Sequence, residues 1–241
     1  MPGGFRNKPK ILRGAFVEYG LSIPPLMVVF QFNPVQLTRN HSLSYSVPGW
    51  RQEIQREIAR EYEGVASWIS LRDFHREYED LADLRDAQQV SVRPESISFE
   101  IRLDATDKLN EGDPITALYG IAPQLATLEA MMYPKNESLL GELLPDLSTE
   151  DGFSFTKSDN PPMILFIWGR RRVLPVNING MNITETEFST DLNPIRATVA
   201  VNLTVIEGPN VPYTHSKLMK EAMSALNLAN IADIANVVIP G

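Results

Sequence analysis

The side chains with chemistry to offer are three histidines, a run of acids and a run of arginines. His41, His75 and His215 lie far apart in the chain, and none has a carboxylate or second histidine at ligand spacing. A catalytic or metal-binding histidine works with partners, so packing or surface roles are expected for all three. Asp104, Asp107, Glu111 and Asp113 could in principle hold a calcium ion, but they lack the acidic ladder and central glycine of an EF-hand loop. The other reading of that stretch is a strand-to-helix connection with a helix cap. Glu100 and Asp104 could be offered as a general acid and base; both fall on the outward side of an alternating strand, where a solvated face or subunit contact is expected. Arg170, Arg171 and Arg172 form the one concentrated positive feature. They suit either a charged tight turn or a grip on the acidic groups of a neighbouring subunit, since arginine presents a planar fork to carboxylates. A P-loop, a dinucleotide GxGxxG, a GxSxG elbow and an HExxH pair are all absent, so neither catalysis nor a cofactor or metal is expected.

Composition narrows the partners. The 241 residues are 43% hydrophobic, enough for one sizeable core, and the formal net charge of -8 argues against a general nucleic-acid or anionic-membrane surface. Trp50, Trp68 and Trp168 are scattered through this acidic chain, which favours core or interface packing over base stacking. With no cysteines there is neither a disulfide framework nor a thiolate metal site, which suits a cytosolic origin. The first 13 residues carry four basic side chains without an apolar core, unlike a secretory signal, and no run approaches a membrane span. The sequons at Asn40, Asn136, Asn182 and Asn202 are therefore read as accidental.

The elements that would position these groups are mostly strands. Residues 163–205 read as three β-segments punctuated by WGRR, NG and LNP turns, and Ala197, Val199, Val201, Leu203 and Val205 share one strand face. Strands are also predicted over 11–19, 26–32 and 97–103, with 36–46 extended. Helical spacing appears over 51–63, where Ile54, Ile58 and Tyr62 form a narrow stripe, and over 74–87, where Phe74, Tyr78 and Leu81 fall together. This pair reads as an inserted helical arm, about 48–93. Asp113 and Pro114 suit a helix start, with Ile115, Leu118, Ile121, Ala122, Leu125, Leu128 and Met132 on its apolar face and Gly120 and Pro123 dividing it. Residues 135–162 read as a connection with one helical turn at 139–144, and Thr214 as the cap of a last helix reaching about 235. The organisation expected is a domain over 1–213 carrying the insertion and a C-terminal helix over 214–241.

Five strings then acquire a joint meaning: VVFQFNP (28–34), ISFEIRLDATD (97–107), GIAPQL (120–125), FIWGRRRVLPV (166–176) and LNPIRA (192–197). In order and spacing over most of residues 10–207 they closely resemble the tube-protein family of extracellular contractile injection systems. The resemblance implies a mainly β fold with flanking helices (α+β): a phage tail-tube-like antiparallel β-sandwich or split barrel. It implies six copies in a ring, a structural baseplate role as tube initiator or adaptor between spike hub and inner tube, and assembly in the cytoplasm as part of a tail-like particle that is later released or anchored. The implied partners are further copies of itself, the spike or hub protein, the inner tube protein and other baseplate components, without nucleic acid or membrane insertion. Two departures stand out: the LysM module of many members is not in this sequence, and the 48–93 arm is longer and more helical. Arg170, Arg171, Arg172, Ile54, Ile58, Tyr62, Phe74 and Tyr78 are the expected partner contacts. An inner tube shaft subunit, and a small ligand-binding or enzymatic β-barrel using Asp104 and Asp107, are the alternatives.

Overall fold

Alternating apolar positions and turn residues set the strands, and in the computed structural model these give one antiparallel sheet with helices. Residues 12–20, 26–61, 69–134 and 160–227 are described. In chain order the elements are β1 (Ala15–Glu18), β2 (Met27–Val29), β3 (Leu37–Ser46), α1 (Gly49–Glu61), α2 (Leu71–Arg76), α3 (Leu81–Ala87), β4 (Gln89–Asp104), α4 (Thr106–Asn110), α5 (Pro114–Tyr119), α6 (Ala122–Ala130), β5 (Ile164–Ile167), β6 (Val173–Phe188), β7 (Pro194–Val205) and α7 (Val211–Leu226). The strand order is β2-β1-β5-β6-β7-β4-β3. The chain divides into two compact units, one of residues 1–39 and 96–241, the other of residues 40–95.

In the larger unit the strands join one curled sheet where two sheets were expected. β1 and β4 are four steps apart in the strand order, roughly 19 Å across a flat sheet at about 4.8 Å per step. Yet the Phe16 ring on β1 lies 6.0 Å from the Phe99 ring on β4, and Phe166 on β5 lies 5.2 Å from Phe99. Only a sheet rolled onto its own inner face brings these rings together. Beyond β2 the chain reaches the other side of the roll, where Phe32 forms an isolated antiparallel bridge to Arg102 of β4. Phe16, Phe30, Phe99 and Phe166 fill the interior, and Ala197, Val199, Val201, Leu203 and Val205 line it as their alternation requires, each at most 3% exposed.

Several boundaries differ from expectation for identifiable reasons. Asn179-Gly180 makes no turn: it sits inside the 16-residue β6, where a register shift between Ile178 and Gly180 leaves Asn179 as the extra residue of a bulge. The 113–132 stretch does divide at Gly120, whose φ of +57° ends α5. The division turns Ile115 and Leu118 to solvent, while Ile121, Leu125 and Leu128 of the second half are buried, joined by Met131 and not Met132. The last helix is capped by Asn210, which accepts from Tyr213 N at 2.9 Å, four residues earlier than expected. The helical turn expected at 139–144, the helix beyond 227, Trp68 and Tyr62 lie outside the described residues.

In the smaller unit the predicted 74–87 helix is two helices. Ser70 caps α2 by accepting from Asp73 N at 3.1 Å, and Asp80 caps α3 by accepting from Ala82 N at 2.7 Å. Two good caps ten residues apart favour two short helices over one. Leu81 therefore leaves the Phe74 stripe and is exposed.

Candidate assembly surfaces

Four of the five strings are tied by polar clasps that hold one segment against another, and the fifth, FIWGRRRVLPV, meets them through the Phe166 ring. Asn33 accepts from Gly14 N at 2.9 Å and donates to Leu12 O at 2.8 Å, tying the FQFNP string to the start of β1. Gly14 has to be bare there, since a Cβ would stand 2.7 Å from the Phe30 ring and 2.8 Å from that of Trp168. Gln31 accepts from Asp104 N at 2.8 Å, which fixes the chain after β2 to the end of β4. Asn193 donates to Leu118 O at 2.8 Å, and Ile121 N donates to Pro194 O at 2.9 Å, so the LNP turn is held against GIAP. None of these roles was legible in the sequence, because each depends on a partner 19 or more residues away.

Two of the four acids in the run, Asp104 and Asp113, are structural. Asp113 caps α5, accepting from Thr116 N at 2.7 Å, with Pro114 in the first turn as expected. Asp104 uses one oxygen to accept from Thr106 N at 2.8 Å and the other to accept from Arg196 Nε at 2.8 Å. Arg196 extends the chain to Glu187 at 2.6 Å. Glu100 pairs outward with Arg102 at 3.7 Å. With both Asp104 oxygens engaged, the acid-base use of Glu100 and Asp104 loses one member. Among the described residues no cluster of three or more histidines and acids could hold a metal ion. His41 lies 3.5 Å from the buried Glu95, His75 lies beside Phe74, and His215 is exposed on α7. An open groove of about 570 Å³ between β2 and α6 is lined by Met27, Val29, Asp107, Lys108, Glu111 and Gln124. Its charges are mixed in sign and do not converge on a reacting centre.

Desolvation pushes the Asp104 carboxyl up, but hydrogen bonds from the Thr106 hydroxyl and amide and the Arg196 guanidinium outweigh it and hold the group below its ordinary 3.8. An acid with a depressed folded pKa stabilises the fold above its unfolded value and loses that contribution as pH falls through the folded one. Thermal melts taken from about pH 6 down to about pH 3 should therefore fall less steeply for Asp104→Asn than for the parent, with the parent ahead at the upper end. Parallel curves would show that the pair adds nothing.

The arginine run forms the β5–β6 turn, closed by Trp168 N donating to Arg172 O at 2.8 Å with Gly169 at φ +69°. Arg170 and Arg171 are exposed, and Arg171 Nη1 donates to Met223 Sδ of α7 at 3.2 Å. Buried Ser216 straps α7 to the first residue of β6, accepting from Val173 N at 2.9 Å and donating to Val173 O at 2.7 Å. A serine one turn into a helix was the only sequence signal for that strap.

In the smaller unit the expected contact residues separate into two groups. Phe74 is fully buried, edge-on to Tyr78 at 5.2 Å and beneath the Arg51 guanidinium at 5.3 Å, with Arg51 paired to Glu77 at 2.7 Å. Its size and apolar character are spent on this small core, so it is corrected from contact residue to core residue. Ile54 and Ile58 remain 49% and 40% exposed on α1, a helix with no buried residue. One turn apart, they share a face that this unit leaves uncovered. Among the described residues no helix is long and apolar enough to cross a membrane. No family model matches the chain, and no curated protein matches it.

Proposed function

We propose that this chain is a tube-initiator or adaptor subunit of an extracellular contractile injection system, a structural part that forms a six-membered ring joining the spike hub to the inner tube. The observation that carries the proposal is the convergence of the five family-like strings. Residues of FQFNP, ISFEIRLDATD, GIAPQL and LNPIRA bond one another across up to 92 residues, and FIWGRRRVLPV supplies the rings packed on them. Strings that resemble a family only by chance have no reason to hold one another in place. A rolled antiparallel sheet with a tail-tube-like split-barrel character suits a ring wall, whose need is pairing and stiffness rather than a reacting centre.

The smaller unit, residues 40–95, would carry the contact to other baseplate components through Ile54 and Ile58. Replacing both with glutamate should leave the melting temperature of the isolated chain within about 2 °C, because exposed substitutions cost little. It should abolish co-purification of the chain with its baseplate partners. Unchanged particle assembly would remove this face from the account. A shaft subunit is the second reading; it predicts long tubes from the chain alone, whereas an initiator stops at one ring until its partners are added.

A further inference from the structure

The β6–β7 hairpin tip and α5 form a surface that none of the structural roles above uses. Phe188, Leu192, Ile115, Leu118 and Tyr119 are all exposed there, between 49% and 79%. The Asn193–Leu118 bond and the Ile121–Pro194 bond hold the two segments side by side, so these five form one neighbourhood. Glu187 and Leu192 adopt φ of +55° and +62°, a conformation that side chains other than glycine resist. The tip thus keeps a defined shape at some conformational cost. Glu185 and Asp191 are exposed on the hairpin, where Glu187 is matched by Arg196, and Lys108 lies beside Ile115 on the α5 side, so the balance is acidic. At the other end of β6 the charge reverses, with Arg170 and Arg171 on the β5–β6 turn and Lys217 on α7 exposed. The two ends are separated by 16 residues of strand, roughly 50 Å at about 3.3 Å per residue before the bulge bends it.

We propose that copies of this chain meet head to tail, with the acidic, apolar-centred tip of one seated against the arginine turn of the next. An apolar centre inside a charged rim is how protein contacts are built, and the complementary charge is present on the same molecule at the opposite end of the strand. Such a contact is heterologous: it closes into a ring or continues as a stack according to the rotation between copies. The proposal deepens the assembly reading, and rests on it only in supposing that copies associate.

The test uses the full chain and two charge reversals, Arg170→Glu with Arg171→Glu, and Glu185→Lys with Asp191→Lys. All four side chains are exposed, so both variants should melt with the parent. The parent should self-associate at low salt by sedimentation, and weaken by about tenfold or more as salt rises from roughly 0.05 to 0.5 M. Each variant alone should stay monomeric under conditions where the parent assembles, and a one-to-one mixture should assemble again, because every contact in an alternating chain then pairs opposite charges. A parent that stays monomeric at low salt, variants that assemble like the parent, or a mixture that fails to recover would each overturn the proposal. Rings formed by the parent only with spike and tube proteins would leave the initiator reading intact while removing this contact.

Discussion

Gly120→Ala is expected to cost about 3–5 kcal/mol and lower the melting temperature by roughly 10 °C, the largest effect of any single added methyl. Two causes act together. The residue sits at φ +57°, and a Cβ there would stand 2.1 Å from Pro194 O. That oxygen is main chain and accepts from Ile121 N, so it cannot move aside without breaking the clasp between the LNP turn and α6. Gly112 provides the control, with φ +74° and nothing within 4 Å of where a Cβ would stand. Gly112→Ala should cost only the conformational strain, about 1 kcal/mol. Equal losses at the two positions by chemical denaturation would show that the Pro194 contact contributes nothing beyond the dihedral.

Phe166→Ala should cost about as much, 3–5 kcal/mol, for a different reason. The ring has no exposure and lies among Phe16 at 5.8 Å, Phe30 at 6.4 Å, Phe99 at 5.2 Å and Trp168 at 6.0 Å. Its removal leaves a void where the two sides of the rolled sheet touch, and neighbours fixed on four separate segments cannot close it. Phe188→Ala, at a half-exposed position on the hairpin tip, should change stability by less than about 0.5 kcal/mol. The difference between the two phenylalanines, read from urea midpoints at unchanged slope, measures the interior directly. A loss below about 1 kcal/mol at Phe166 would mean that the roll is not packed as described.

How much of this was legible in the sequence depends on how local the cause is. The β7 alternation from Ala197 to Val205 and the Asp113-Pro114 helix start were readable because strand period and capping act over a few residues. The division at Gly120 was readable for the same reason. The Asn179-Gly180 pair departs from expectation because its local preference for a hairpin turn yields to the continuous pairing of β6 with β7, which the bulge preserves. Phe74 departs from it because apolar spacing on a helix is the same whether the stripe faces a partner or a small local core. Roll closure at Phe32 and Arg102, and the Gln31–Asp104 and Asn193–Leu118 bonds, join segments about 70 residues apart and leave no trace in local pattern. The arginine run was visible, but its opposition to an acidic hairpin tip needed the strand between them.

The most direct test of the proposed assembly role is electron microscopy with mass determination, on the purified chain alone and mixed with the spike and tube proteins that the proposal assigns to it. Single six-fold rings that cap the spike and seed tube growth are the predicted result. A persistent monomer indifferent to both partners would contradict it.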